Sequence, residues 1–123
     1  MARPEPDTSP AEQPPGRLTV TADRRGGWTA IALEGDLDLT TLPVLETRLR
    51  TAADEHSPPR LALDLSDLNF CDSSGLNAIV RAWQQSVAAD GELVLLNPQD
   101  RVLNSLKMTG LHERLPIHGT LPE

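Results

Sequence analysis

Asp72-Ser73-Ser74-Gly75 is the stretch whose residue types could do chemistry. It falls between an apolar run, Leu61-Ala62-Leu63-Asp64-Leu65, and a helical pattern that starts at Leu76. Such a place needs a helix cap. Asp72 or Ser73 can accept a hydrogen bond from the first free N–H groups, and Gly75 relieves crowding in the first turn; spacing alone favours that reading. A second chemistry competes with it. A serine hydroxyl at a helix start lies beside unpaired N–H groups and the positive end of the helix dipole. Phosphorylation there adds roughly −1.5 to −2 charges without requiring a new fold. That is what a binding switch requires.

The other reactive groups offer less. Cys71 has no evident base beside it and reads as a small residue packed under the helix. His56, His112 and His118 lack metal-ligand spacing and lie in separate loop or terminal regions, so no Ser-His-Asp set forms. Asp36, Asp38, Asp64, Asp67 and Asp72 flank two segments expected to converge. A magnesium site is conceivable there, but solvated loop acids and caps are favoured. Glycine-rich nucleotide fingerprints and a P-loop are absent from the sequence. These residues imply no cofactor and no catalytic set.

The elements that must position Asp72 and Ser73 follow from periodicity. Leu18 to Ala22 and Trp28 to Leu33 alternate as strands, and Arg24-Arg25-Gly26-Gly27 is the turn of an antiparallel hairpin. Thr40 to Glu55 carries Leu42, Leu45, Leu49 and Ala52 at helical spacing. Thr40 and Thr41 are its expected caps, with Pro43 in the first turn. Leu61 to Leu65 is the next strand. Ser74 to Ala89 is the clearest helix, with Leu76, Ile79, Val80, Trp83 and Val87 as its stripe, and Gly91 suits the left-handed position past its end. The stripe should pack on Leu63, Leu65, Leu93 and Leu95. Leu93 to Leu96 is a strand. Asn97-Pro98-Gln99-Asp100 predicts a helix start with Asn97 as cap and Pro98 first in the helix. Val102, Leu103 and Leu106 face inward, Gly110-Leu111 closes that helix, and Leu115 to Ile117 adds a short strand.

The expected order is β-β-α-β-α-β-α, with a final short strand, in a mixed, mainly parallel α/β sheet. Strands joined through helices run parallel. The segments at 34–40, 66–73 and 97–98 then leave the carboxyl ends of parallel strands and gather on one edge, where open α/β sheets place their sites. Asp38 and Ser73 should be close there.

Composition bounds the partners. The chain has 123 residues, a charge of −7 and one cysteine. Its acidity disfavours nucleic acid and anionic membrane, and favours a basic or neutral protein partner. A lone cysteine forms no internal disulfide, and no apolar run approaches the roughly 18 residues of a membrane span. Cytoplasmic residence is expected. Residues 1–16 hold five prolines and no large aliphatic side chain after Met1, which predicts a disordered tail before a domain over 17–118. Residues 119–123 read as a short frayed end.

Phe70-Cys71-Asp72-Ser73-Ser74-Gly75-Leu76 resembles the phosphorylation loop of the STAS-domain anti-sigma factor antagonists. Gly35-Asp36-Leu37-Asp38 resembles their Gly-acid-apolar-Asp turn, Leu61 to Leu68 the strand before their switch, and Met108 to Leu111 their late helix end. The resemblance runs in order from Leu18 to Ile117. It implies a regulatory module, not an enzyme. The unphosphorylated form would bind an anti-sigma factor serine kinase and free the sigma factor. The kinase would then phosphorylate Ser73, the complex would part, and a PP2C-type phosphatase would reset it. Asp36, Asp38, Asp72, Ser73, Ser74 and Gly75 would form the partner-binding surface. Two departures bear on partner choice: Asp36 stands where Glu is common, and Pro43 comes early in its helix. A STAS module that binds a small ligand, such as a nucleotide or lipid head group, remains open. So does a scaffold whose serines only cap the helix.

Overall fold

The computed structural model describes residues 17–122. The segment read as a disordered tail, 1–16, lies outside the described residues. Strand β1 (Leu18–Arg25) turns back into β2 (Trp28–Leu37) through Gly26 and Gly27. Gly26 takes φ 61° while Gly27 keeps a negative-side φ, the pattern of a two-residue type II′ turn. Then follow α1 (Leu42–Glu55), β3 (Arg60–Cys71), α2 (Ser73–Ala88), β4 (Glu92–Leu96) and α3 (Asp100–Met108). A single 3-10 turn at Leu111–Glu113 leads to β5 (Ile117–His118). The sheet order is β1-β2-β3-β4-β5, with β1 antiparallel to β2 and the other pairs parallel. This is the expected mixed, mainly parallel α/β sheet.

One face of the sheet builds the main core. Ile31, Leu33, Leu63, Leu65, Leu93 and Leu95 are essentially inaccessible, and they meet Leu45 and Leu49 of α1, Ile79 of α2 and Leu106 of α3. Burial of each such aliphatic side chain contributes roughly 1.5–3 kcal/mol against leaving it in water. Alternation puts Trp28, Ala62, Val94 and Leu96 on the other face, where Leu121 packs over them. Arg60 stacks on the Trp28 ring at 4.4 Å.

Several local expectations need correction. The buried face of α2 is Leu76, Ala78, Ile79, Ala82 and Ser86, so the stripe is rotated from the predicted one. Val80 and Trp83 pack at its margin and Val87 is exposed. Small residues let α2 lie close to the sheet, and bulk alone misplaced the stripe. Asp90, not Gly91, takes the left-handed position after α2. Gly91 is small for another reason: a Cβ there would sit 2.0 Å from the Pro59 carbonyl oxygen. Helix α3 begins two residues later than expected. Asn97 adopts φ 51°, its N–H donates to the His118 carbonyl, and its side-chain amide donates to the Gly119 carbonyl. That tie to the final strand removes Asn97 as a cap, and Gln99 holds the cap position.

Candidate functional site

Strands β2, β3 and β4 run parallel, so the segments after them gather at their carboxyl ends. Both long strands run further than periodicity indicated. β2 includes Gly35-Asp36-Leu37, so the expected turn is paired strand up to Asp38. β3 continues to Cys71 by carrying extra residues. Its partners in β2 step from Ala32 to Glu34 while β3 steps from Asp64 to Asp67, and from Gly35 to Asp36 while β3 steps from Leu68 to Phe70. Each irregularity is a bulge, a device that re-aims a strand. Asp64 supports the first: its Oδ1 accepts from the Ser66 N–H at 3.0 Å and from the Ser66 hydroxyl at 2.7 Å. Such local bonds break alternation, which is why the strand looked finished at Leu65.

The strand–helix junction is now explicit. Asp72 is the N-cap of α2, with an extended backbone, and its Oδ1 accepts from the Gly75 N–H at 2.9 Å. The choice between Asp72 and Ser73 as cap falls to Asp72. Ser73 is the first residue of the helix and is exposed, whereas Ser74 is half-buried. Gly75 is dictated by packing. A Cβ there would lie 2.7 Å from Leu37 Cγ and 2.8 Å from Cys71 Sγ. Cys71 therefore sits under the first turn of α2. Its burial, and secondarily the Asp72 charge, push the thiol pKa up to about 12, so it stays protonated at neutral pH.

The second segment is tied to the first. Asp72 Oδ2 accepts from the Leu39 N–H at 3.3 Å, and the Asp72 N–H donates to the Leu37 carbonyl at 3.0 Å. Sequence reading missed Leu39, because an apolar residue in a polar loop carries no motif. Helix α1 lacks the side-chain cap expected of Thr40 or Thr41; Asp38 instead organises the turn that leads into it. Its Oδ1 accepts from the Thr40 N–H at 3.0 Å, the Thr41 N–H at 3.1 Å and the Thr40 hydroxyl at 2.7 Å. The Thr40 hydroxyl bond, aided by the backbone bonds, holds the Asp38 carboxyl below its ordinary pKa. Thr41 is the formal N-cap of α1 without a side-chain cap bond, because its hydroxyl donates instead to the Asp36 carbonyl at 2.9 Å. Asp36 lies in β2 opposite Phe70, and its N–H donates to the Arg17 carbonyl at 3.0 Å.

The third segment closes the edge: Gln99 Nε2 donates to the Ser66 carbonyl at 2.7 Å. Asp36, Asp38, Asp72, Ser73, Ser74 and Gly75 thus belong to one end of the sheet. Among the described residues, no three His, Cys, Asp or Glu side chains converge as a metal site would require. No helix among them is long and apolar enough to cross a membrane. The arrangement presents an exposed hydroxyl on a helix N-terminus within an acidic edge.

Fold and edge together define an α/β module with its candidate site at the carboxyl ends of a mainly parallel sheet. The STAS domain family matches residues 19–123, and the chain belongs to that family. Relatives and solved structures agree. An anti-sigma F factor antagonist of Paenibacillus polymyxa is 27% identical over 101 residues, covering 82% of this chain and 86% of that protein. A crystal structure of an anti-sigma factor antagonist from Mycobacterium paratuberculosis superposes with a TM-score of 0.78 at 23% identity, covering 88% of this chain and 91% of that one. The anti-sigma factor antagonist SpoIIAA in its unphosphorylated form gives 0.69 at 22% identity, covering 80% and 87%. Its phosphorylated form gives 0.63 at 21%, covering 80% and 90%.

Proposed function

We propose that this chain is an anti-sigma factor antagonist switched by phosphorylation of Ser73. In the unphosphorylated form it binds an anti-sigma factor serine kinase in the cytoplasm and frees the sigma factor. Phosphorylation by that kinase ends the binding, and a PP2C-type phosphatase restores it. The protein itself catalyses nothing.

The observation that carries this reading is the division of labour between neighbours. Asp72 caps α2, which leaves the Ser73 hydroxyl exposed at the first helical position and unneeded for the cap. That placement favours this reading over a scaffold whose serines only cap the helix. The likeness to SpoIIAA, which is known in unphosphorylated and phosphorylated forms, supports the same reading.

Electrostatics explains why the group would act between molecules and not within the fold. The helix N-terminus offsets part of a phosphate's charge in the free protein. A partner packed on this edge would strip water from a dianion set among Asp36, Asp38 and Asp72. Burial of such an unpaired charge costs several kcal/mol, and each 1.4 kcal/mol is about tenfold in affinity. The test is incubation with the purified kinase and ATP, followed by mass-spectrometric mapping. Stoichiometric phosphate on Ser73 is expected. Phosphate chiefly on Ser74 or Ser66, or none, would contradict the proposal.

A further inference from the structure

Large apolar side chains left in solvent are Leu39, Val44, Phe70, Val87 and Met108. Isolated exposed hydrophobes are ordinary on any protein surface. Three of these fall at one end of the sheet. Leu39 lies between β2 and α1, Val44 in the first turn of α1, and Phe70 one residue before the end of β3. All three belong to the end of the sheet that carries Ser73.

Leu39 is the most exposed of the three, at 68%. Its backbone is nevertheless held on both sides. Its own N–H donates to Asp72 Oδ2, and the residues that follow it donate to Asp38 Oδ1. An apolar side chain on a fixed backbone loses little freedom when a partner covers it, which favours its use as an anchor. The carboxylate that starts the helix bearing Ser73 is the same one that fixes Leu39. Asp38 and Asp72, whose carboxylates bond the backbone at and after Leu39, place negative charge beside the anchor.

We infer that Leu39 is an affinity- and specificity-determining anchor of this surface, received by the partner in an apolar pocket rimmed with lysine or arginine. The inference rests on reading the Ser73 edge as the surface that binds the kinase. It adds which side chain carries the binding and what chemistry the partner must offer. Small acidic ligands would not need Leu39, and a flat apolar partner would not need the acids.

The experiment is calorimetric titration of the purified kinase with wild type, Leu39→Ala, Leu39→Met and Ser73→Asp. Leu39→Ala is expected to weaken binding by about 10- to 100-fold, as for a hot-spot residue. Leu39→Met keeps bulk and apolarity and is expected to stay within about threefold of wild type. Both variants should melt with wild type, because the side chain is in solvent. Raising salt from about 50 to about 500 mM should weaken wild-type binding, since charge pairs at a rim are screened. Wild-type affinity in Leu39→Ala would overturn the anchor, and salt-independent binding would overturn the basic rim. Ser73→Asp separates the two levels. If it loses binding while Leu39→Ala retains it, only the anchor falls; if both bind as wild type does, the kinase-binding reading of the edge falls.

Discussion

Asp72 and Leu39 stand 33 residues apart in the chain and share a hydrogen bond of 3.3 Å from the Leu39 N–H to Asp72 Oδ2. The other oxygen of that carboxylate caps α2 through Gly75. One side chain therefore fixes the loop after β2 and the helix after β3. Replacing it with alanine removes both bonds, and loss of an N-cap alone costs about 0.5–2 kcal/mol. Asp72→Ala should unfold at lower urea by that order and should speed amide exchange at both Leu39 and Gly75. Unchanged exchange at Leu39 would show that the loop is held by other means.

Gly75 tests how closely α2 approaches the sheet. An added Cβ meets the Leu37 and Cys71 side chains at under 3 Å, and both are buried in the core with little room to yield. Overpacking of this kind costs about 1–3 kcal/mol. Gly75→Ala should destabilise by that order in denaturant unfolding, despite the better helix propensity of alanine. A stabilised variant would mean that the helix rides further from β3 than described.

Asp38 gives a pH dependence whose sign is fixed. Its carboxyl is held below the ordinary value of 3.8, first by the Thr40 hydroxyl bond. A depressed carboxyl contributes stability above its unfolded pKa, and that contribution is lost as pH falls through the folded value. Wild type should therefore exceed Asp38→Ala in stability at pH 7, and the gap should close as pH drops below about 4. Urea titrations of both proteins across that range measure it. A gap that widens in acid would contradict the assignment.

Much of this was legible in the chain. The order of strands and helices, the hairpin, and the convergence of three segments followed from periodicity and from the rule that helix-linked strands run parallel. Asp72, Ser73 and Gly75 could be singled out because a cap, a hydroxyl and a glycine at a strand–helix junction restrict each other. What stayed hidden depends on contacts distant in sequence. Asp64 and Ser66 form a local turn that bends β3 without ending it, so alternation failed there. Asn97 looks like a cap until the final strand claims its amide. Thr40 and Thr41 look like caps, but their own N–H groups are taken by the Asp38 carboxylate in the turn before α1. Val87 fits the helical period, yet the sheet contacts Ala78, Ala82 and Ser86 instead.

The central claim is that charge at Ser73 controls binding without altering the fold. Its most direct measurement is calorimetric titration of Ser73→Asp and Ser73→Ala against the purified kinase with nucleotide present, with circular dichroism and melting of each variant alongside. Ser73 is exposed and does not cap its helix. Both variants should therefore keep the wild-type fold and stay within about 0.5 kcal/mol of its stability. Ser73→Ala should bind as wild type does and remain bound, whereas Ser73→Asp should lose affinity by about 100-fold or more, the effect of burying an unpaired charge. Equal, tight binding by Ser73→Asp would contradict the account.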